Sequence, residues 1–172
     1  MPTFVGLLRS VNVGGRKLPM AELRELAESL GYGDVRTFIQ SGNVIFTAPK
    51  RPDPAVLEAG LAERFELEVD VMVRSGRDLA AALERNPFPG ADQSRLHVGF
   101  MAAKPAATSV SSIDAARFAP DELAVAGTEV YFHLPNGLGR AKLPDHALRR
   151  LKVPTTIRNW NTVTKLAELA AG

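Results

Sequence analysis

No cysteine occurs anywhere in the 172 residues. That absence removes disulfides, thiolate-held metals, iron–sulfur clusters and cysteine nucleophiles together, and it fits a reducing compartment. Aromatic residues make up only 6%, which is poor material for a surface that stacks several bases as RNA-recognition domains do. Long apolar runs are missing too: no stretch approaches the roughly 20 residues that span a bilayer. Neither charge predominates. Twenty-one Lys and Arg against 19 Asp and Glu leave a net charge of +2, which permits an anionic partner without requiring one.

What is present is a hydrophobic content of 45%, enough to bury a core in one domain or in two small, tightly joined ones. The opening run Met1-Pro2-Thr3-Phe4-Val5-Gly6-Leu7-Leu8-Arg9 lacks a basic leader and reaches an arginine quickly, so it reads as a strand. A cytoplasmic protein that does not enter a membrane is expected.

Periodicity and turn chemistry then order the chain. A buried strand from Phe4 to Ser10 leaves into Asn12-Val13-Gly14-Gly15. Pro19 precedes a helix marked by Met20, Leu23, Leu26, Ala27 and Leu30 and ended by Gly31. Val35 to Gln40 and Asn43 to Thr47 flank Ser41-Gly42 as a hairpin. Asp53-Pro54 opens a second helix, Val69 to Arg74 is a strand, and Ser75-Gly76-Arg77-Asp78 resembles a capping box starting a helix that stops before Pro87. The same order follows: a strand over Arg95 to Ala102, a helix over Ser109 to Arg117, and a hairpin of Glu122 to Val125 with Glu129 to Leu134. A helix over Pro144 to Leu151, a strand over Thr155 to Arg158 and a helix over Asn161 to Ala170 close the chain. The expected fold is α+β, two ferredoxin-like βαββαβ units each followed by a helix, over residues 1–90 and 91–172. The repeat is one of element order; the halves show no clear similarity residue by residue.

A right-handed split βαβ unit brings the end of its first strand to the sheet edge that carries its hairpin. Arg9, Asn12, Gly14, Gly15, Arg16 and Lys17 should therefore face Gln40, Ser41 and Asn43. In the second unit, Asn136, Gly137, Gly139, Arg140 and Lys142 should approach Arg158, Asn159, Trp160, Asn161 and Thr162. Both groups are rich in cations and amides and are expected to exclude carboxylates. Most acids, such as Glu22, Glu25, Glu28, Glu58 and Glu63, fall on helices.

Three stretches, Leu8-Arg9-Ser10-Val11-Asn12-Val13-Gly14-Gly15, Phe38-Ile39-Gln40-Ser41-Gly42-Asn43-Val44 and Thr156-Ile157-Arg158-Asn159-Trp160-Asn161-Thr162, resemble the bacterial family catalogued as domain of unknown function 1697, across essentially the whole chain. Ser10 stands where that family usually has glycine. The resemblance implies a bacterial cytosolic protein and supplies no catalytic residues.

Each cluster also has a plain structural reading. Asn12, Gly14 and Gly15 suit a tight turn, Asn159 or Asn161 a helix cap, and Trp160 a packing gap. Gly14-Gly15-Arg16-Lys17 has neither Walker nor Rossmann spacing. His97, His133 and His146 lack metal-ligand spacing, no serine sits in a nucleophile elbow, and paired carboxylates are missing from the loops. These residues call for no particular cofactor. If the chain is an enzyme, electrostatic stabilisation by Arg and Lys must carry the catalysis. The expectation is a small anionic ligand, phosphate-bearing or nucleotide-like, held by strand-end loops. The alternatives are a nucleic-acid binder using the same basic loops, and a non-catalytic scaffold whose polar motifs hold the fold together.

Overall fold

The first apolar run forms strand β1 (Thr3–Leu8), buried from Phe4 onward. The computed structural model describes residues 1–9, 17–39 and 42–171. Helix α1 (Met20–Ser29) turns Met20, Leu23, Leu26 and Ala27 inward, with Pro19 as its N-cap residue. Strands β2 (Gly33–Thr37) and β3 (Asn43–Thr47) form the expected hairpin, and a register shift between Gly33 and Arg36 coincides with the positive φ of Asp34. Helix α2 (Pro54–Phe65) starts where the Asp53 carboxylate accepts the Ala55 N–H at 2.9 Å. Strand β4 (Val71–Ser75) runs into helix α3 (Gly76–Glu84) through a reciprocal cap, in which Asp78 N–H donates to Ser75 Oγ at 3.0 Å and Ser75 N–H to Asp78 Oδ2 at 2.8 Å.

The second half repeats the plan with β5 (Leu96–Met101), α4 (Ala107–Ser111), β6 (Glu122–Ala126), β7 (Glu129–His133), α5 (Leu143–Leu151), β8 (Thr155–Asn159) and α6 (Trp160–Ala170). The sequence reading of one helix over Ser109 to Arg117 is corrected here. Five residues of α-helix end at Ser111, and a separate 3-10 turn spans Ala115–Phe118. The serines explain the break, because Ser111 and Ser112 hydroxyls donate back to the Thr108 and Ser109 carbonyls at 3.1 and 2.7 Å.

Each sheet has four antiparallel strands, ordered β2-β3-β1-β4 and β6-β7-β5-β8. Both orders are the ferredoxin-like one, so the α+β reading of two βαββαβ units with trailing helices holds. By internal contacts the chain divides into Met1–Ala81 with Thr164–Gly172, and Ala82–Val163. In the first unit Phe4, Leu8, Val44, Phe46, Val71 and Val73 pack with α1 and α2 residues such as Leu23 and Leu61. In the second, Met101, Val130, Phe132 and Leu134 pack with Leu143, Ala147 and Leu151.

Aligning the two registers exposes a similarity that the linear sequence hides. Val5-Gly6-Leu7 and Val98-Gly99-Phe100 occupy the same ladder positions, Gly6 opposite Val44 and Gly99 opposite Val130. Arg74 pairs with Val5 just before the Ser75 cap, and Arg158 pairs with Val98 just before Asn159. The glycines keep the central strands close to their neighbours. A Cβ on Gly99 would lie 2.6 Å from Val130 Cγ1 and 3.1 Å from Thr155 Cγ2, and β-branched side chains in a ladder have little rotamer freedom with which to yield. Gly99→Ala is expected to cost about 1–3 kcal/mol, seen as a lower urea midpoint with an unchanged denaturant slope. An unchanged midpoint would show that the strands part easily.

Candidate functional site

Antiparallel pairing sets which loops meet. Leu7 pairs with Asn43 and Leu8 N–H donates to the Gly42 carbonyl at 2.9 Å, so the end of β1 does lie beside the β2-β3 hairpin. Asn12, Gly14, Gly15, Arg16, Gln40 and Ser41, named from the sequence as part of this cluster, lie outside the described residues. Of the rest, Arg9 reaches Asp70 at 3.5 Å with both side chains well exposed, a pair worth little in stability. Lys17 is exposed, next to the fully buried Leu18. Asn43 is completely buried; its Nδ2 donates to the Phe38 carbonyl at 3.0 Å, while Phe38 N–H donates to the Asn43 carbonyl at 3.1 Å. Asn43 therefore closes the hairpin.

The second cluster divides in two. Both β7 and β8 end beside the start of β5, but the strand order puts β6 and β8 at opposite sheet edges. On the β8 side, Arg158 is 7% exposed. Its guanidinium donates to Thr156 Oγ1 at 2.6 Å and to the Ile157 carbonyl at 3.1 Å, and burial pushes its pKa down to about 10, leaving it charged at neutral pH. Asn159 Oδ1 accepts the Thr162 N–H at 2.8 Å and so caps α6. Trp160 is 5% exposed and Asn161 exposed. The motif supplies a cap, a buried charge and a core side chain rather than an open recognition face.

On the β6 side, Asn136, Arg140 and Lys142 line a groove of about 410 Å³ with Phe118, Ala119, Pro120, Asp121 and Ala141. Gly137 holds the loop's turn at φ +85, where a Cβ would lie 3.2 Å from Arg95 Nη1, so few other residues would fit there. Arg140 and Lys142 are exposed, and neither enters an ion pair among the described residues. Lys142 is also the N-cap residue of α5, whose start has no side-chain cap. The opposite wall is held by His146, whose Nε2 accepts the Asp114 N–H at 3.1 Å and whose ring lies 4.9 Å from that of Phe118. The Arg117 guanidinium lies over the Phe118 ring, 4.7 Å from its centroid.

The expectation of carboxylate-free clusters is corrected by Asp70 beside Arg9 and by Asp121 in the groove. Burial raises the Asp121 pKa, and the His133 charge opposes the rise. The residues missed from sequence are those just before β6. The signal was the Ala119-Pro120-Asp121 turn, which a hairpin partner of β7 must carry to the end of β7. A further cavity of about 320 Å³, lined by Pro105, Ala107, Val110, Val125, Gly127, Ser111 and Lys104, is largely apolar.

Other polar groups are structural. The Glu129 carboxylate is buried and takes hydrogen bonds from Arg85 at 2.9 Å and Thr128 at 2.7 Å, while Tyr131 donates to the Ala82 carbonyl at 2.7 Å. In the first sheet the two strand aromatics, Phe4 and Phe46, are 4% and 1% exposed within the core, with Tyr32 stacked on Phe46. They offer no open platform for bases. Among the described residues no group of three His, Asp or Glu could hold a metal ion, and no helix is long and apolar enough to cross a membrane.

His97 Nδ1 is buried without a hydrogen-bond partner among the described residues, and burial lowers the pKa of the ring from 6.5. The unfolded chain then takes up a proton more readily than the folded one, so this contribution to stability is intact above pH 6.5 and is lost as the pH falls towards the lowered folded value. In His97→Leu the fall in melting temperature between pH 7.5 and pH 5 is expected to shrink. An identical fall in both proteins would show that His97 does not govern the acid limb.

Together these features define an α+β protein of two ferredoxin-like units, with an open polar groove beside β6 and β7 in the second. The chain belongs to the DUF1697 family, described as protein of unknown function, whose model matches residues 1–131. The match includes the first two motifs and leaves the Arg158-Asn159-Trp160 stretch beyond it. No functionally curated protein matches the sequence. Among solved structures, the chain is similar to the conserved bacterial protein SP0830 from Streptococcus pneumoniae, at 24% identity and a TM-score of 0.74, covering 100% of this chain and 99% of that one. At that identity the likeness speaks for the fold.

Proposed function

We propose that the chain binds a small anionic ligand, phosphate-bearing or nucleotide-like, in the groove at the start of β6 and the end of β7. The observation that carries this reading is the convergence of Arg140, Lys142 and Asn136 on one cavity of about 410 Å³, with both cations free of ion pairs among the described residues. That volume lies at the low end of the roughly 300–1,000 Å³ range of small-molecule clefts. Two cations favour negative charge. The apolar cavity beside α4, with a single lysine, lacks this chemistry.

A thermal-shift screen of the full chain against nucleotides, sugar phosphates and polyanions tests it, because a ligand that binds only the native state raises the melting temperature. A shift for phosphate compounds that fades with added salt is the expected result; no shift across the panel would remove the reading. A scaffold reading is favoured by the inward placement of Arg158 and Trp160, which makes that motif part of the fold.

A further inference from the structure

Two cations alone would suit any anion, but Asp121 shares their groove. An ionised carboxylate among the lining residues repels inorganic phosphate or an alkyl phosphate and leaves its own oxygens seeking donors. Asn136 adds an amide that both donates and accepts. The wall chemistry is therefore mixed: positive at Arg140 and Lys142, acceptor-rich at Asp121, bifunctional at Asn136, with Phe118 as the one aromatic. A ligand meets all of it if it carries an anionic group and hydrogen-bond donors such as hydroxyls in one molecule.

We infer that the groove selects hydroxylated monophosphates, sugar or polyol phosphates, with the phosphate on Arg140 and Lys142 and hydroxyls on Asp121 and Asn136. This rests on the anion-binding reading above and narrows it. A cavity of about 410 Å³ fits one such molecule, whereas a dinucleotide would need a larger cleft within the usual range. The selectivity has a stated origin: a site built to accept a hydrogen bond from a ligand hydroxyl discriminates strongly against the analogue lacking it, because its own polar group is then left unpaired. Asp121 is held in place for this by its backbone, with Asp121 N–H donating to the Phe118 carbonyl at 3.0 Å.

Calorimetric titration of the full chain with ribose 5-phosphate, glucose 6-phosphate, propyl phosphate and inorganic phosphate tests the inference. Wild-type protein is expected to bind the two sugar phosphates at least about 10-fold more tightly than propyl phosphate, a gap of about 1.4 kcal/mol. In Asp121→Asn relief of the repulsion acts on all four ligands, while loss of the carboxylate acceptor acts on the sugar phosphates alone, so the preference for sugar phosphates over propyl phosphate should shrink towards parity. Equal affinity for sugar and propyl phosphates in the wild type, or an undiminished preference in D121N, overturns the selectivity and leaves the anion site standing. No binding of any of the four overturns both. The wild-type comparison needs no variant, so a folding defect in D121N would not protect the inference.

Discussion

Trp160→Ala is expected to destabilise the protein by about 3–5 kcal/mol, the cost of truncating a large buried aromatic. Trp160 is the first residue of α6 and only 5% exposed, directly after the Asn159 cap and the buried Arg158. Removing the indole leaves a cavity at a point where the helix start and the strand end are both fixed, so collapse around it is restricted. A Trp160→Phe variant should lose less. Urea denaturation measures both; a loss under about 1 kcal/mol for the alanine variant, well below the usual range for such a truncation, would mean that Trp160 is not the packing residue described.

The second large effect concerns binding. Arg140→Ala with Lys142→Ala should lower affinity for a sugar phosphate about 100-fold or more, since charge-assisted hydrogen bonds contribute about 1.5–3 kcal/mol each and every 1.4 kcal/mol is a factor of ten. Stability should hardly change, because both side chains are exposed and free of ion pairs among the described residues. The contrast with Trp160 is the point: one substitution damages the fold, the other damages only the groove. Unaltered affinity in the double variant, measured by calorimetry at low salt, would exclude these cations as the anion's partners.

Local chemistry made much of the architecture readable. Ser75 and Asp78 cap α3 reciprocally, as their spacing predicts, and Gly127 at φ +59 makes the turn between β6 and β7. The broken helix after Pro105 was not readable, because whether Ser111 and Ser112 bond back to carbonyls is a local competition that periodicity does not score. The repeat was hidden for another reason. Gly6 and Gly99, or Arg74 and Arg158, become equivalent only when ladder partners are aligned, since unequal loops shift them along the chain. The site was half legible. Asn136, Arg140 and Lys142 were singled out, yet their association with Asp121 rather than Arg158 depends on which sheet edge the loop leans towards. Burial decided the rest: Arg158 and Trp160 carry the residue types of a recognition motif and lie in the interior, while the exposed Asn159 caps α6.

The groove beside β6 and β7 is where the ligand should bind. An amide-resolved NMR titration of the full chain with ribose 5-phosphate should move resonances of Phe118, Ala119, Asp121 and residues 136–143 together and saturably, with those of residues 155–159 in β8 little changed. Saturable shifts confined to residues elsewhere, or none at millimolar ligand, would contradict it.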